Sequence, residues 1–176
     1  MADAPPARPL VEPLGAHHDR TAFSCGVQAL DAYLQRQAGQ DARRLIAAPF
    51  VLVMPGGTIG GYYTLAATAI SLSHLPPDTA RRLPRYPVVP AFLIGRLAVD
   101  RRYQGQGWGR FLLADALRRC IDSGIAGFAV VVDAKDDNAR RFYERESFLP
   151  LPETPNRLFR RLSDITSLIR EVERNL

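Results

Sequence analysis

Cysteine, histidine and lysine are all scarce in this chain of 176 residues, and each shortage closes off a class of function. The two cysteines, Cys25 and Cys120, lie far apart and have no cysteine or histidine at metal-ligand spacing. A zinc ribbon and a disulfide scaffold are thereby excluded, and two buried free thiols are expected. His17, His18 and His74 fall in loop-like stretches and read as surface side chains, so no metal site is expected. Long apolar runs are missing too, since no window approaches the ~18 uninterrupted apolar residues of a membrane-spanning helix. The opening stretch from Met1 to Glu12 is rich in alanine and proline but lacks a basic start followed by an apolar core. It does not read as a secretion signal, and a cytoplasmic location is expected. Internal repeats and long low-complexity tracts are absent as well.

What remains is an ordinary composition, 47% apolar and 23% charged, in a chain long enough to bury one core. Lys135 is the only lysine, so arginine supplies 22 of the 23 basic residues behind a net charge of +5. A GC-rich genome raises arginine, alanine and proline together, and it explains the total as well as phosphate recognition does. Position says more. From Arg81 to Arg119 nine arginines stand against two acids, Asp100 and Asp115. Such a stretch attracts polyanions, because the guanidinium fork donates bidentately to phosphate.

Hydrophobic spacing predicts a first helix capped near Ser24 or Cys25, with Val27, Leu30, Tyr33, Leu34 and Ala38 on one side and a weak continuation to about Arg44. Phe50 to Met54 and Ile59 to Ile70 read as strands joined through Pro55-Gly56-Gly57. Five prolines between Leu75 and Pro90 exclude a regular element there beyond one short turn around Asp78 to Arg82. A strand over Ala91 to Val99, a helix over Gly109 to Ser123, a buried strand over Gly127 to Ala134 and a helix over Asp137 to Arg145 follow. Short strands are expected near Phe148 to Leu151 and Arg157 to Leu162. Asp164 to Leu176 is predicted as a terminal helix with Ile165, Leu168, Ile169 and Val172 on one side. This order indicates an α/β or α+β sheet of mixed strand direction.

Between the strand ending at Val99 and the helix beginning near Gly109 lies Arg102-Tyr103-Gln104-Gly105-Gln106-Gly107-Trp108-Gly109. Glycines at 105, 107 and 109 allow positive φ and close approach to a ligand, and the following helix offers unpaired N–H groups and a positive dipole end. The expected guest is a diphosphate. A P-loop is excluded because Trp108-Gly109-Arg110 stands where Gly-Lys-Ser or Gly-Lys-Thr is required. A dinucleotide fingerprint, with Asp133 as the ribose acid, and a glycine turn that only solves a packing problem both remain open on the loop alone.

A second constellation narrows the choice. Asp133 to Glu144 places a strand end, a turn and a helix carrying Asn138, Phe142 and Tyr143. Together the two motifs resemble the Gcn5-related N-acetyltransferase (GNAT) superfamily, whose pyrophosphate loop is followed one strand later by an asparagine and a tyrosine-bearing helix. Gln104 to Gly109 fits the loop, Arg102 to Gly107 fits it in a shifted register, and Asn138 with Tyr143 fits the second motif. The core of the resemblance covers roughly Ala91 to Phe159. It implies a mixed, mostly antiparallel sheet splayed at an acetyl-CoA site and flanked by helices, in a single domain over residues 1–162 with a helical extension over 163–176. It also implies acetyl-CoA as donor, its pyrophosphate on the amides of Gln104, Gly105, Gln106, Gly107, Trp108, Gly109 and Arg110. Leu97, Ala98 and Val99 would line the pantetheine arm and thioester carbonyl, with Asn138 and Phe142 completing the donor site. Tyr143 becomes the general acid. A phenol of pKa about 10 can protonate a thiolate whose acid has a pKa near 8.5 without ionising itself at neutral pH. No base is evident. An α-amine, with a pKa of about 7.7 to 8.0, needs less help than a lysine amine near 10.4, so the acceptor leans toward an α-amine.

Three further stretches are similar to a narrower group, the tRNA-acetylating toxins of bacterial toxin–antitoxin pairs. They are Phe23-Ser24-Cys25-Gly26 with Leu30 to Leu34, then Gly60 to Leu65, and Leu83-Pro84-Arg85-Tyr86-Pro87 leading into Ile94 to Asp100. The similarity implies transfer of acetyl to the α-amine of aminoacyl-tRNA, a block of translation, a ribbon-helix-helix antitoxin and a homodimer. Arg81, Arg82, Arg85 and Arg96 are the phosphate-contact candidates, joined by Arg36, Arg43 and Arg44 of the first helix. An N-acetyltransferase for a small amine or protein N-terminus, and a non-catalytic acyl-CoA-binding module, are the alternatives. Two positions depart from the pattern: Ser147 stands where the family usually has glycine, and Trp108 where a smaller aliphatic residue is usual.

Overall fold

The computed structural model describes residues 6–174. Their contacts gather into two compact units: the chain up to Ala66 with Gly95–Ala116, and Ala67–Ile94 with the chain from Leu117 onward. Seven strands are described: β1 (Leu10–Pro13), β2 (Ala48–Val53), β3 (Ile59–Ser71), β4 (Val88–Val99), β5 (Ala129–Asp133), β6 (Leu149–Leu151) and β7 (Thr154–Arg161). Their order is β1-β2-β3-β4-β5-β7-β6, and β3 and β4 contribute residues to both units. The helices are α1 (Gln28–Ala32), α2 (Ala38–Arg43), α3 (Pro77–Ala80), α4 (Trp108–Asp122), α5 (Asp137–Arg145) and α6 (Leu162–Arg174). The sheet is mixed as expected, parallel where β4 meets β5 and antiparallel at β1–β2, β2–β3, β5–β7 and β6–β7. Among the described residues no helix is long and apolar enough to cross a membrane.

In the first unit, β2 pairs antiparallel with β3 so that Val51 lies opposite Tyr62, and Val51, Val53, Ile59 and Tyr62 enter one core with Phe23, Tyr33, Leu34, Ala38 and Ala98. Tyr62 is completely buried, its edge set against Phe23 at 5.5 Å, and its hydroxyl donates to the Leu30 carbonyl at 2.8 Å. That bond lets a phenol sit in an apolar core without an orphaned polar group. The expected single first helix is interrupted: Tyr33–Gln37 forms a π turn between α1 and α2. Tyr33 and Leu34 are both buried within it. β1 was not anticipated, because Leu10–Pro13 is short and proline-bounded, and only its pairing with β2 makes it a strand.

Two further expectations need correction here. Cys120 is buried, with its thiol pKa pushed up to about 12 by desolvation, but Cys25 is only half-buried. His18 is not a surface residue. It is 8% exposed, its Nδ1 accepts from the Gly15 N–H at 2.9 Å, and its Nε2 lies 2.6 Å from Glu12 Oε1. Glu12, His17 and His18 thus gather three potential ligand atoms within 4.8 Å. With Nδ1 accepting, Nε2 carries the proton and donates to Glu12, which leaves His18 no free lone pair. A loop histidine closed by its own turn could not be told from a solvated one by spacing.

In the second unit, β5 is buried from Ala129 through Val132, and its residues pair in parallel with β4 from Ala91↔Ala129 to Ile94↔Val132. A short run of β-branched residues covered on both faces gives this unbroken burial. Ala129 and Val131 join Ile70, Leu75, Val89, Ala91, Leu151 and Phe159 in the core of this unit. β4 begins at Val88 rather than Ala91, so Pro90 lies inside the strand, and its carbonyl still accepts from the Phe128 N–H at 2.8 Å. A proline lacks only the donor, which explains why the strand tolerates it. The proline-rich segment before it holds one short helix, α3, with proline in its first turn. α6 starts two residues earlier than expected and buries Ile165. The side chains of Leu168, Ile169 and Val172, and all of residues 175 and 176, lie outside the described residues.

Candidate active site

The glycine loop belongs to the first unit, and its shape follows from a carboxylate at the end of β4. Asp100 is 1% exposed and caps a 3-10 turn over Arg101–Tyr103. Its Oδ1 accepts from the Arg102 N–H at 3.0 Å and from Arg102 Nε at 2.8 Å. Its Oδ2 accepts from Arg102 Nη2 at 3.0 Å and from the Ser24 N–H at 3.1 Å. Burial alone would raise the pKa of this acid, but the hydrogen bonds from Arg102 and Ser24 outweigh it and hold the carboxyl below the usual range. The Ser24 carbonyl accepts from Arg101 N–H, and the Arg101 guanidinium lies against Gly26, which has φ +94°. Gln104 Nε2 then donates to the carbonyls of Cys25 at 2.8 Å and Val99 at 2.9 Å. Phe23-Ser24-Cys25-Gly26 thus supplies the backbone frame of the loop.

Gly105 and Gly107 have φ of +74° and +87°, and a Cβ on either would meet nothing within 4 Å. The glycines are required by backbone conformation, and the space above them is open. Gly109 does not share this role. It is the second residue of α4 and its φ is not positive, because the helix already starts at Trp108. Trp108 is half-buried and sits edge-on to Phe111 at 5.3 Å. Its buried Nε1 has no hydrogen-bond partner among the described residues. An orphaned donor beside two open, positive-φ glycines and a helix N-terminus fits an anionic group that brings its own acceptors.

At the end of β4, the Asp100 N–H donates to the Gly60 carbonyl at 2.9 Å, and the Ala98 carbonyl stands where a Cβ on Gly61 would be 2.8 Å away. Alternation along a strand then turns the peptide groups of Leu97 and Val99 away from β3. The parallel register of β4 with β5 ends at Ile94↔Val132, before either residue is reached. Ala98, expected beside them, instead turns its carbonyl toward β3 and its side chain into the core.

In the second unit, Asp136 caps α5 by accepting from the Ala139 N–H at 2.8 Å. Asn138 is exposed and its Oδ1 accepts from Arg141 at 2.5 Å, while Phe142 is half-buried with its ring 5.1 Å from that of Tyr143. Tyr143 is 6% exposed. Its carbonyl accepts from Phe148 N–H and that of Glu144 from Ser147 N–H, each at 3.1 Å, and its ring packs edge-on against Phe148 at 5.6 Å. These are the paired bonds and apolar contact of a Schellman cap, and they need a left-handed residue at position 147. Ser147 supplies it with φ +66°, so the turn keeps the glycine-type conformation although the residue is serine. Burial, with the charge of Asp133 adding to it, pushes the Tyr143 phenol well above its ordinary pKa, so it stays protonated. Asp133 is held in a fork by Arg157 at 2.8 and 3.0 Å and lines a cavity of about 650 Å³ with Ile70, Ser71, His74 and Leu151.

The expected RNA-contacting arginines divide in the same way. Arg81, Arg82 and Arg85 are exposed in the second unit, where Arg81 pairs with Asp78. Arg96 belongs to the first unit, with its guanidinium 3.6 Å above the ring of Tyr33.

A sequence model of the acetyltransferase (GNAT) family matches residues 70–148. Over 182 aligned residues the chain is 32% identical to a probable toxin TacT of Sinorhizobium fredii, covering 96% of this chain and 99% of that one. It is 36% identical over 153 residues to a tRNA-acetylating toxin of Mycobacterium tuberculosis, covering 86% and 90%. This chain belongs to the GNAT acetyltransferase family. Solved structures agree. AtaT complexed with acetyl-methionyl-tRNAfMet superposes on this GNAT chain with a TM-score of 0.84 at 31% identity, over 92% of this chain and 99% of that one. A tyrosine-to-phenylalanine variant of AtaT bound to acetyl-CoA and the C-terminus of the antitoxin AtaR gives 0.76 at 28% identity, over 91% and 97%.

Two stability predictions follow from this geometry. Replacing Ser147 with glycine removes left-handed strain of ~1–2 kcal/mol against the entropy glycine adds to the unfolded chain, for a net gain of about 0.5–1 kcal/mol in urea unfolding; Ser147→Val destabilises. For Asp100, the lowered folded pKa means that its contribution is fully present above the unfolded value of about 3.9 and is lost as pH falls through the folded value. An Asp100→Asn variant is therefore less stable near neutrality, and its urea midpoint falls less steeply than that of the wild type below pH 4. Parallel acid limbs for the two proteins contradict this account.

Proposed function

We propose that this GNAT chain transfers acetyl from acetyl-CoA to the α-amino group of aminoacyl-tRNA, and that it thereby blocks translation as the toxin of a toxin–antitoxin pair. The observation that carries the reading is the buried, capped Tyr143 in a chain that aligns over 86% of its length with a tRNA-acetylating toxin. In this reading residues 1–162 act as one acetyltransferase domain with residues 163–176 as an extension.

Backbone amides from Gln104 to Arg110 hold the donor's diphosphate, with the dipole of α4 and the Trp108 Nε1–H as further donors. Asn138 and Phe142 complete the donor site. Leu97 and Val99 direct N–H groups at the negative charge that develops on the carbonyl oxygen, which is where fixed dipoles lower a barrier most. Ala98 contributes packing. As the amine nitrogen forms its bond to the carbonyl carbon and the carbon–sulfur bond breaks, Tyr143 gives its proton to the departing sulfur. The amine loses a proton to water, and the phenolate recovers one from solvent, which its raised pKa favours. Because an α-amine is partly neutral at physiological pH, the step needs no strong base.

Arg81, Arg82, Arg85 and Arg96 contact phosphates of the acceptor. A cytoplasmic location, a homodimer and a ribbon-helix-helix antitoxin belong to the same reading. The antitoxin-bound variant of AtaT supports a proteinaceous antitoxin, and charged tRNA is met in the cytoplasm.

Replacing Tyr143 with phenylalanine leaves acetyl-CoA binding nearly intact and lowers turnover by about 10²- to 10⁴-fold. Expression of the wild type arrests growth, and expression of the variant does not. Equal arrest by both proteins, or by neither, removes Tyr143 from the mechanism or toxicity from the function. Purified protein incubated with labelled acetyl-CoA and a pool of charged tRNAs labels the aminoacyl end of RNA. Label found only on small amines or protein N-termini favours the alternative acceptor, and donor binding without transfer favours a non-catalytic module.

A further inference from the structure

Apart from the phosphate contact given to Arg85, Leu83-Pro84-Arg85-Tyr86-Pro87 has no part in the acetyl transfer described above, yet it shapes an open groove of about 790 Å³ in the second unit. Leu72, Ala80 and Leu83 line it and rest on the core of that unit, so its apolar wall is fixed. Tyr86 lines it as well and is 64% exposed. Its backbone is held from both sides: Tyr86 N–H donates to the Pro84 carbonyl at 2.8 Å, and the Pro87 carbonyl accepts from Leu72 N–H at 3.1 Å. A large ring presented to water on a proline-braced backbone is already held in place for a flat ligand to stack on. Arg85 lines the same groove and has no acid partner among the described residues, whereas Arg81 beside it is paired with Asp78. From residue 72 to residue 87 three arginines face one acid.

A flat aromatic, a neighbouring unpaired guanidinium and an open apolar wall are what an unpaired nucleotide requires, one for its base and one for its phosphate. We infer that this groove binds single-stranded nucleotides near the 3′ end of the acceptor RNA, with Tyr86 as stacking platform and Arg85 as phosphate contact. The inference rests on the tRNA reading above and adds a residue and a mode of binding to it. An acidic peptide would satisfy Arg85 but gains little from a stacking ring.

The test is acetylation kinetics with charged tRNA. Tyr86→Ala raises KM by about 5- to 50-fold with kcat little changed, and Tyr86→Trp restores it. Because Tyr86 is exposed, thermal unfolding of both variants matches the wild type. The slope of log KM against log salt is unchanged in Tyr86→Ala but shallower by about 0.7 to 0.9 in Arg85→Ala. An unaltered KM in Tyr86→Ala, with a wild type that acetylates charged tRNA, overturns the inference alone. A wild type that acetylates no charged tRNA overturns the functional reading and this inference with it. If Tyr86→Ala weakens binding of an oligoglutamate peptide and leaves the KM for tRNA unchanged, the groove is a peptide site and the RNA assignment is wrong.

Discussion

A carboxylate taken almost wholly out of water persists only if its lone pairs are met, and Asp100 meets them with the Arg102 fork and two backbone N–H groups. Each partner does a second job. Ser24 brings the segment before α1 to the end of β4, and Arg102 turns the chain into the glycine loop. Gln104 then closes the turn on Cys25 and Val99, so its side chain is consumed in building the loop and only its backbone is left for a ligand. The open conformation of Gly105 and Gly107 is prepared in advance by these bonds, so the diphosphate proposed to bind there would order little that is not already ordered.

Placement of Tyr143 has a separate cause, the way α5 ends. A helix that stops in a Schellman cap fixes the residue two before its last by a bond to its carbonyl, a second bond to the next carbonyl and a ring contact, and here that residue is the proposed acid. The cost is a serine held at φ +66°, a strain of the kind that persists where the surrounding turn leaves the chain no alternative. Burial, which ensures that the phenol stays protonated, comes from the same packing against Phe142 and Phe148. One turn thus sets both the position and the proton of the side chain.

Much of this was legible in advance because it depends on local chemistry. α5 spans the residues its spacing predicted, and the run of β-branched residues Val130-Val131-Val132 after Ala129 reads as a buried strand, as it is. The misses have physical reasons. Gly109 counts as a third loop glycine in one dimension, but a helix that begins at Trp108 absorbs it. Pro90 suggests a strand boundary, yet losing one donor does not stop its carbonyl from joining the sheet. Ala98 and Val99 are neighbours in sequence and face opposite ways in a strand, which separates a core residue from an edge amide. The π turn at Tyr33–Gln37 and the burial of His18 depend on partners far along the chain or on one closed turn, and neither leaves a periodic trace.

Arginine is abundant enough here that its number carries no information until the arginines already engaged are set aside. Arg102, Arg157 and Arg161 are forked onto Asp100, Asp133 and Asp164, and Arg140 reaches Glu144 along its own helix. Arg96 lies over Tyr33, where its charge meets an aromatic face and partly offsets the burial and the Asp41 hydrogen bond that raise the phenol pKa to about 12. A guanidinium so placed already has a partner, and using it on phosphate means giving that partner up or sharing it. Arg82 and Arg85 carry no such debt among the described residues, and both are exposed in the proline-rich segment, whose Leu75, Ala80 and Leu83 pack on the core of the second unit. Composition bias explains why a chain has many arginines. It does not explain why Arg85, without an acid partner among the described residues, lines one groove with the exposed Tyr86, and the proposed recognition of a polyanion with unpaired bases does.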